Sequence, residues 1–162
     1  HYWAPFEEFD SIVPDGVVPN SDTLIEGDIV FVRSNGNPDL IGRCLLIGVP
    51  PERTTHSGFT IKARLQSNEV MPAYLCHFLK SNGTRQEMID GGNGANIKSL
   101  NQGTLSRIMV PFPSLSKQTE IVRRLESLQA ETQRLESLYR QKLAALDELK
   151  QSLLHQAFGG QL

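Results

Sequence analysis

Cysteine is scarce in this chain of 162 residues: Cys44 and Cys76 stand alone, with no CxxC pair and no neighbouring ligand histidines. A disulfide framework or a structural zinc site is therefore not expected. Long apolar runs are missing as well, since stretches such as Ile29-Val30-Phe31-Val32 fall far short of the roughly 20 residues that span a bilayer. The opening HYWAPFEEFD lacks a basic region followed by an apolar one. The expectation is a soluble, cytoplasmic chain without an export signal or membrane contact, in which the acceptor-like Asn82-Gly83-Thr84 is a chance match. An excess of basic charge is absent too: 16 Lys and Arg face 18 Asp and Glu, a net charge of -2, which excludes a protein held to nucleic acid by bulk charge.

Catalytic signatures are also lacking. There is no GxSxG, HExxH or GxGxxG, no GxxxxGK followed by Ser or Thr, and the Gly91 to Gly94 cluster has neither the lysine nor the following helix of a phosphate loop. Cys76 and His77 are adjacent on an expected helix, about 100° apart, and cannot act as a nucleophile and its base. His56 stands in a loop without an orienting partner in view. No cofactor and no metal is implied.

What is present is an uneven distribution of charge. Residues 1–28 hold seven acids and no Lys or Arg; residues 29–116 hold nine bases against five acids; residues 117–162 hold seven against six. Only the middle segment has a positive excess to offer.

That segment also carries the signs of a small sheet. Ile29 to Val32 predicts a strand covered on both faces, and the turn formers Arg33-Ser34-Asn35-Gly36-Asn37-Pro38 follow it. A second strand is expected over Cys44 to Val49. A third, Phe59 to Leu65, alternates so that Phe59, Ile61, Ala63 and Leu65 share an apolar face and Thr60, Lys62 and Arg64 a basic one. From Pro72 the apolar positions Met71, Leu75, Phe78 and Leu79 mark an amphipathic helix ending at Ser81-Asn82-Gly83. Thr84 then caps a short helix ending at Gly91-Gly92, a second polar loop covers Asn93 to Lys98, and Arg107 to Val110 reads as a last strand.

From Lys117 to Gln156 there is no Gly or Pro, and helix formers dominate. Ile121, Leu125, Leu128, Thr132, Leu135 and Tyr139 alternate spacings of four and three, a coiled-coil seam. The series resumes at Leu143, Leu146 and Leu153, a skip of four near Tyr139 that locally unwinds a supercoil. The fold expected is α+β: a small mixed domain over 1–115, then a long coiled-coil helix over 116–162.

Both polar loops hold residue types that read DNA. Arg forks onto guanine and Asn onto adenine, while Lys and Ser anchor phosphates, which singles out Arg33, Ser34, Asn35, Asn93, Asn96 and Lys98, with Lys62 and Arg64 as a neighbouring basic face. The same composition also serves turn geometry, and Arg33 could instead pair with Asp28 or Asp39 to hold its loop.

Three stretches make a resemblance. Leu24 to Ile47, LIEGDIVFVRSNGNPDLIGRCLLI, resembles the "GDI … Arg-x-Asn-Gly … Gly-Arg" stretch of a target recognition domain in specificity subunits of type I restriction-modification systems. Ile97 to Glu126 resembles that family's junction, "P-x-P-x-L-x-x-Q-x-x-I-V", and the ending LKQSLLHQAFGGQL the usual terminus of its conserved helix. The resemblance implies a non-catalytic subunit that reads one half of a split target in double-stranded DNA. Its long helix would pair antiparallel with a second specificity half or a second copy, as a ruler and a platform for DNA methyltransferase and restriction subunits. A full subunit has two domains and two helices, so one of each implies a half subunit or a fragment, with its recognition domain incomplete on the N-terminal side. Two other readings fit the residues: a coiled-coil assembly or adaptor module without DNA specificity, and a small enzyme using His56 or Cys44.

Overall fold

In the computed structural model, residues 2–91 and 99–160 are described. They form a mixed α/β fold: three strands, β1 (Ile29–Val32), β2 (Cys44–Leu46) and β3 (Thr60–Ala63), followed by helices α1 (Pro72–Leu79), α2 (Asn82–Asp90), α3 (Gln102–Leu105) and α4 (Leu115–Phe158). By its contacts the chain divides into two compact units, residues 1–122 and 123–162. No helix among the described residues is long and apolar enough to cross a membrane.

β1 is the central strand of an antiparallel sheet ordered β2-β1-β3, with Ile29 opposite Leu46 and Ala63, and Phe31 opposite Cys44 and Ile61. Both of its faces are covered, as its unbroken apolar run leads one to expect. Ile29 and Phe31 pack with Ile41, Leu46, Cys76, Leu79, Met88 and Leu100, whereas Val30 packs with Ala4, Leu24 and Ile47. The outer edge of β2 is not left open: Ala4 N donates to Leu46 O and Leu46 N to Tyr2 O.

Two glycines make the flanking turns. Gly27 has φ +87° and a Cβ there would lie 3.3 Å from Pro72 Cγ; Gly42 has φ +74° and sits over Met88. Both positions favour glycine for the backbone angle, and at Gly27 the close approach of Pro72 adds crowding.

Between Gly27 and β1, Asp28 is fully buried. Its carboxylate accepts a fork from Arg64, Nε to Oδ1 at 2.7 Å and Nη2 to Oδ2 at 2.8 Å, and also accepts Ile25 N at 2.9 Å. Arg64 Nη2 reaches Thr23 O as well, at 2.9 Å. One carboxylate thus joins the N-terminal segment, the start of β1 and the end of β3. The hydrogen bond to Asp28 holds the Arg64 guanidinium above its already high ordinary pKa.

Several elements differ from their sequence-based expectations. Strand β2 stops at Leu46: Asp28 N, which would continue the ladder to Ile47 O, turns back to Ile25 O, Gly27 N takes the Ile47 carbonyl instead, and Val49 is exposed. Phe59, expected on the core face, lies before β3 and is 70% exposed, while Ile61 and Ala63 do pack inward. Asn82 and Gly83, expected to end α1, instead form the first turn of α2; Ser81 is its N-cap residue, and Thr84 is buried with its hydroxyl on Ser81. Arg107 to Val110 is not a strand: Arg107 N and Ile108 N donate back to Thr104 O and Leu105 O, continuing the turn of α3.

α4 begins against the first unit through Gln118, which is fully buried. Its Oε1 accepts Met71 N and its Nε2 donates to Glu69 O and Pro113 O, each at 2.8 Å. Three of the four hydrogen bonds an amide can make are formed, all with backbone. Beyond Val122 the seam is exposed: Leu128 65%, Leu143 63%, Leu146 61%.

Replacing Arg64 by Met would leave the buried Asp28 carboxylate without its cation, a change that costs about 3 kcal/mol. Urea denaturation should show that loss, whereas Arg64→Lys should recover part of it. A stability unchanged by Arg64→Met would refute the anchoring role of the pair.

Candidate nucleic-acid interface

The loop after β1 is held by backbone on both sides. Arg33 N and Ser34 N donate to Phe59 O, and Arg33 O accepts Leu100 N at 2.8 Å. Asn35 Oδ1 then accepts Asn37 N and Asn37 Oδ1 accepts Asp39 N, both at 2.9 Å, so the amides of the loop build its successive turns. With that oxygen committed, the Asn35 amide retains its NH₂ donors.

Arg33 is exposed. Neither of the two pairings open to it forms: the Asp28 carboxylate is taken by Arg64, and Arg43 and Arg85 reach the backbone carbonyl of Asp39 while Arg33 makes no ion pair with its carboxylate. The other described bases of residues 29–116 are committed. Arg53 donates to Val18 O, Lys62 to Ser21 O and Thr23 O, and Arg107 Nη2 to Thr104 Oγ1; Lys80 lies over the Tyr2 ring. Among the described residues, Arg33 is the base of this segment without a side-chain hydrogen bond, ion pair or ring contact. Lys62 and Arg64, expected as a basic face, instead direct their charge inward to the N-terminal segment. Asn93, Asn96 and Lys98 lie outside the described residues.

An open concavity of about 620 Å³ lies beside Arg33, with Ser21, Asp22, His56, Lys62 and Gln102 among its lining residues. Neither Asn101 nor Gln102 stood out in the sequence. The available signal was Asn101 three residues before Thr104: its Oδ1 accepts Thr104 N at 2.8 Å and caps α3, but Gly103 within so short a helix obscured it.

The residues considered for catalysis are differently placed. Cys44 is buried, and its thiol is pushed above the ordinary range first by a hydrogen bond with Cys76 and then by burial, the opposite of an activated nucleophile. His56 Nδ1 lies 3.2 Å from Thr60 Oγ1 and 3.3 Å from Ser57 O, so its partners on that nitrogen are a hydroxyl and a carbonyl. No group of three or more His, Cys, Asp or Glu able to hold a metal ion occurs among the described residues.

Comparison with known proteins gives this geometry its family. Residues 5–144 match the model of the type I restriction modification DNA specificity domain. The chain is 32% identical over 153 residues to the type I restriction enzyme EcoKI specificity subunit of Escherichia coli (strain K12), covering 88% of this chain and 31% of that one. It is 30% identical over 149 residues to the StySPI specificity subunit of Salmonella potsdam, covering 91% and 32%. Thus it spans about a third of the length of these relatives. Among solved structures, a type I R-M system complex aligns with TM-score 0.69 and 18% identity over 87% of this chain and 33% of the other. The HsdS subunit from Thermoanaerobacter tengcongensis aligns with TM-score 0.65 and 18% identity over 86% and 36%, and shares the fold. By the extent of the family match, reinforced by these relatives, the chain belongs to the type I restriction-modification DNA specificity domain family.

Proposed function

We propose that this chain is the sequence-reading part of a type I specificity subunit: it binds double-stranded DNA, reads one half of a bipartite target and performs no chemistry itself. The observation that carries the reading is Arg33, an exposed base with an uncommitted side chain on a loop whose backbone is fixed to Phe59, just before β3, and to Leu100. A rigid backbone carrying a free guanidinium suits the forked recognition of guanine in the major groove. Ser34 and the remaining donors of Asn35 lie beside it, and Asn93, Asn96 and Lys98 are assigned to DNA contact from their chemistry alone. Lys62 and Arg64 are assigned chiefly to holding the scaffold.

The long helix is the assembly element of this proposal. Ile121 is half-buried in the first unit, whereas Leu125, Leu128, Leu135, Tyr139, Leu143, Leu146 and Leu153 are between 37% and 65% exposed along α4. An apolar strip of that length calls for a partner helix. The ion pairs beside it, Arg134 with Glu131 at 3.2 Å and Arg140 with Glu136 at 2.5 Å, are exposed and are each worth only about 0.3–0.5 kcal/mol. A second specificity half or a second copy supplies that partner helix, and the pair forms the platform on which methyltransferase and restriction subunits dock.

In an assembled complex, Arg33→Ala should weaken the preferred sequence by about 1–3 kcal/mol and relax the preference mainly at one base pair. Unchanged relative affinities with a lowered melting temperature would instead make Arg33 a structural residue. For the helix, sedimentation of the chain at tens of micromolar should show a dimer or larger species. A monomer with its helix intact by circular dichroism would remove the assembly role from α4.

A further inference from the structure

We infer that Gln102 is a second specificity-determining residue, reading a base edge from the concavity it shares with Arg33; this rests on the DNA-reading role proposed for Arg33. The two side chains come from segments far apart in sequence that the fold ties together, since Leu100 N donates to Arg33 O at 2.8 Å two residues before Gln102. The turn carrying Gln102 is fixed on either side of it. Asn101 Oδ1 caps it through Thr104 N, and the buried Thr104 donates its hydroxyl to Gly91 O at 2.7 Å. A Cβ at Gly103 would come within 3.2 Å of Asn101 Oδ1, which keeps the turn tight around its cap.

Gln102 itself is exposed and its amide makes no hydrogen bond among the described residues. A long amide with donor and acceptor both free, on an anchored turn, has the pairing chemistry of the adenine N6 and N7 edge. A phosphate offers only acceptors and would leave the amide oxygen of Gln102 without a partner, whereas a base edge can meet both halves of the amide. Lys62 is already committed to Ser21 O and Thr23 O, and Asp22 adds a carboxylate to the lining, leaving Arg33 as the uncommitted cation there.

The test uses the assembled complex, with binding measured across a library of duplexes varied at each target position. Gln102→Ala should lose about tenfold or more of the preference at one base pair, distinct from the pair relaxed by Arg33→Ala, with an unchanged melting temperature. Gln102→Glu, which keeps the length and retains only acceptors, should shift the preference at that pair toward bases offering an amino donor. A preference profile identical to the parent in both variants, or a uniform loss at every sequence, would overturn the inference while leaving Arg33 as a reader. A parent complex without any sequence preference would overturn the DNA-reading role and this inference together.

Discussion

The buried carboxylate of Asp28 is the constraint around which the domain is organised. An unpaired charge in that position would cost several kcal/mol, so the chain must bring a cation and donors to it. Arg64 supplies the fork, Ile25 the backbone N–H, and Thr23 O accepts the remaining reach of the guanidinium. Satisfying one group therefore fixes the N-terminal segment, the entry to β1 and the exit from β3 at once. Gly27 beside it can take its φ of +87° and let Pro72 approach, which places α1 against the same corner. The three residues Gly27-Asp28-Ile29 thus have three separate physical roles: the turn, the charge anchor and the core.

The anchor also redistributes charge. A positive excess over residues 29–116 suggests an electrostatic face, yet most of the described bases there spend their donors on carbonyls of the protein's own loops, and Arg64 on the Asp28 carboxylate. A surface prepared in this way holds nucleic acid weakly by charge alone and relies on a few directed side chains, the arrangement that favours discrimination over bulk affinity. Gln118 performs the corresponding task at the other boundary. Its amide closes three backbone hydrogen bonds at the first turns of α4, so these turns are fixed within residues 1–122.

Much of this was legible in the sequence. The unbroken apolar run of β1, the Pro72 start of α1 and the stretch without Gly or Pro over α4 each reflect a single dominant local preference, and each formed. Arg107 to Val110 and Asn82-Gly83 did not behave as read, because neighbouring turns took their backbone groups: a β-prone run continued the turn of α3, and a helix-stop signal became a helix start. The candidate site was half legible. Residue type picked out Arg33, but whether its guanidinium is free depends on where every other base goes, which is a property of the folded chain. The same is true of Lys62 and Arg64, whose alternation was visible while their partners, more than 35 residues away, were not. Gln102 left almost no trace, since an exposed glutamine before a glycine resembles any other loop residue.

The central claim is that the segments meeting at Arg33, and not the charged face of β3 or the exposed flank of α4, meet the DNA. Hydrogen exchange on the assembled complex, with and without its target duplex, examines this directly. Slowed exchange at the backbone amides of Ser34 to Asn37 and of Gln102 and Gly103 on adding target DNA is the expected result. Protection confined to residues 123–158, with these two segments unchanged, would contradict it.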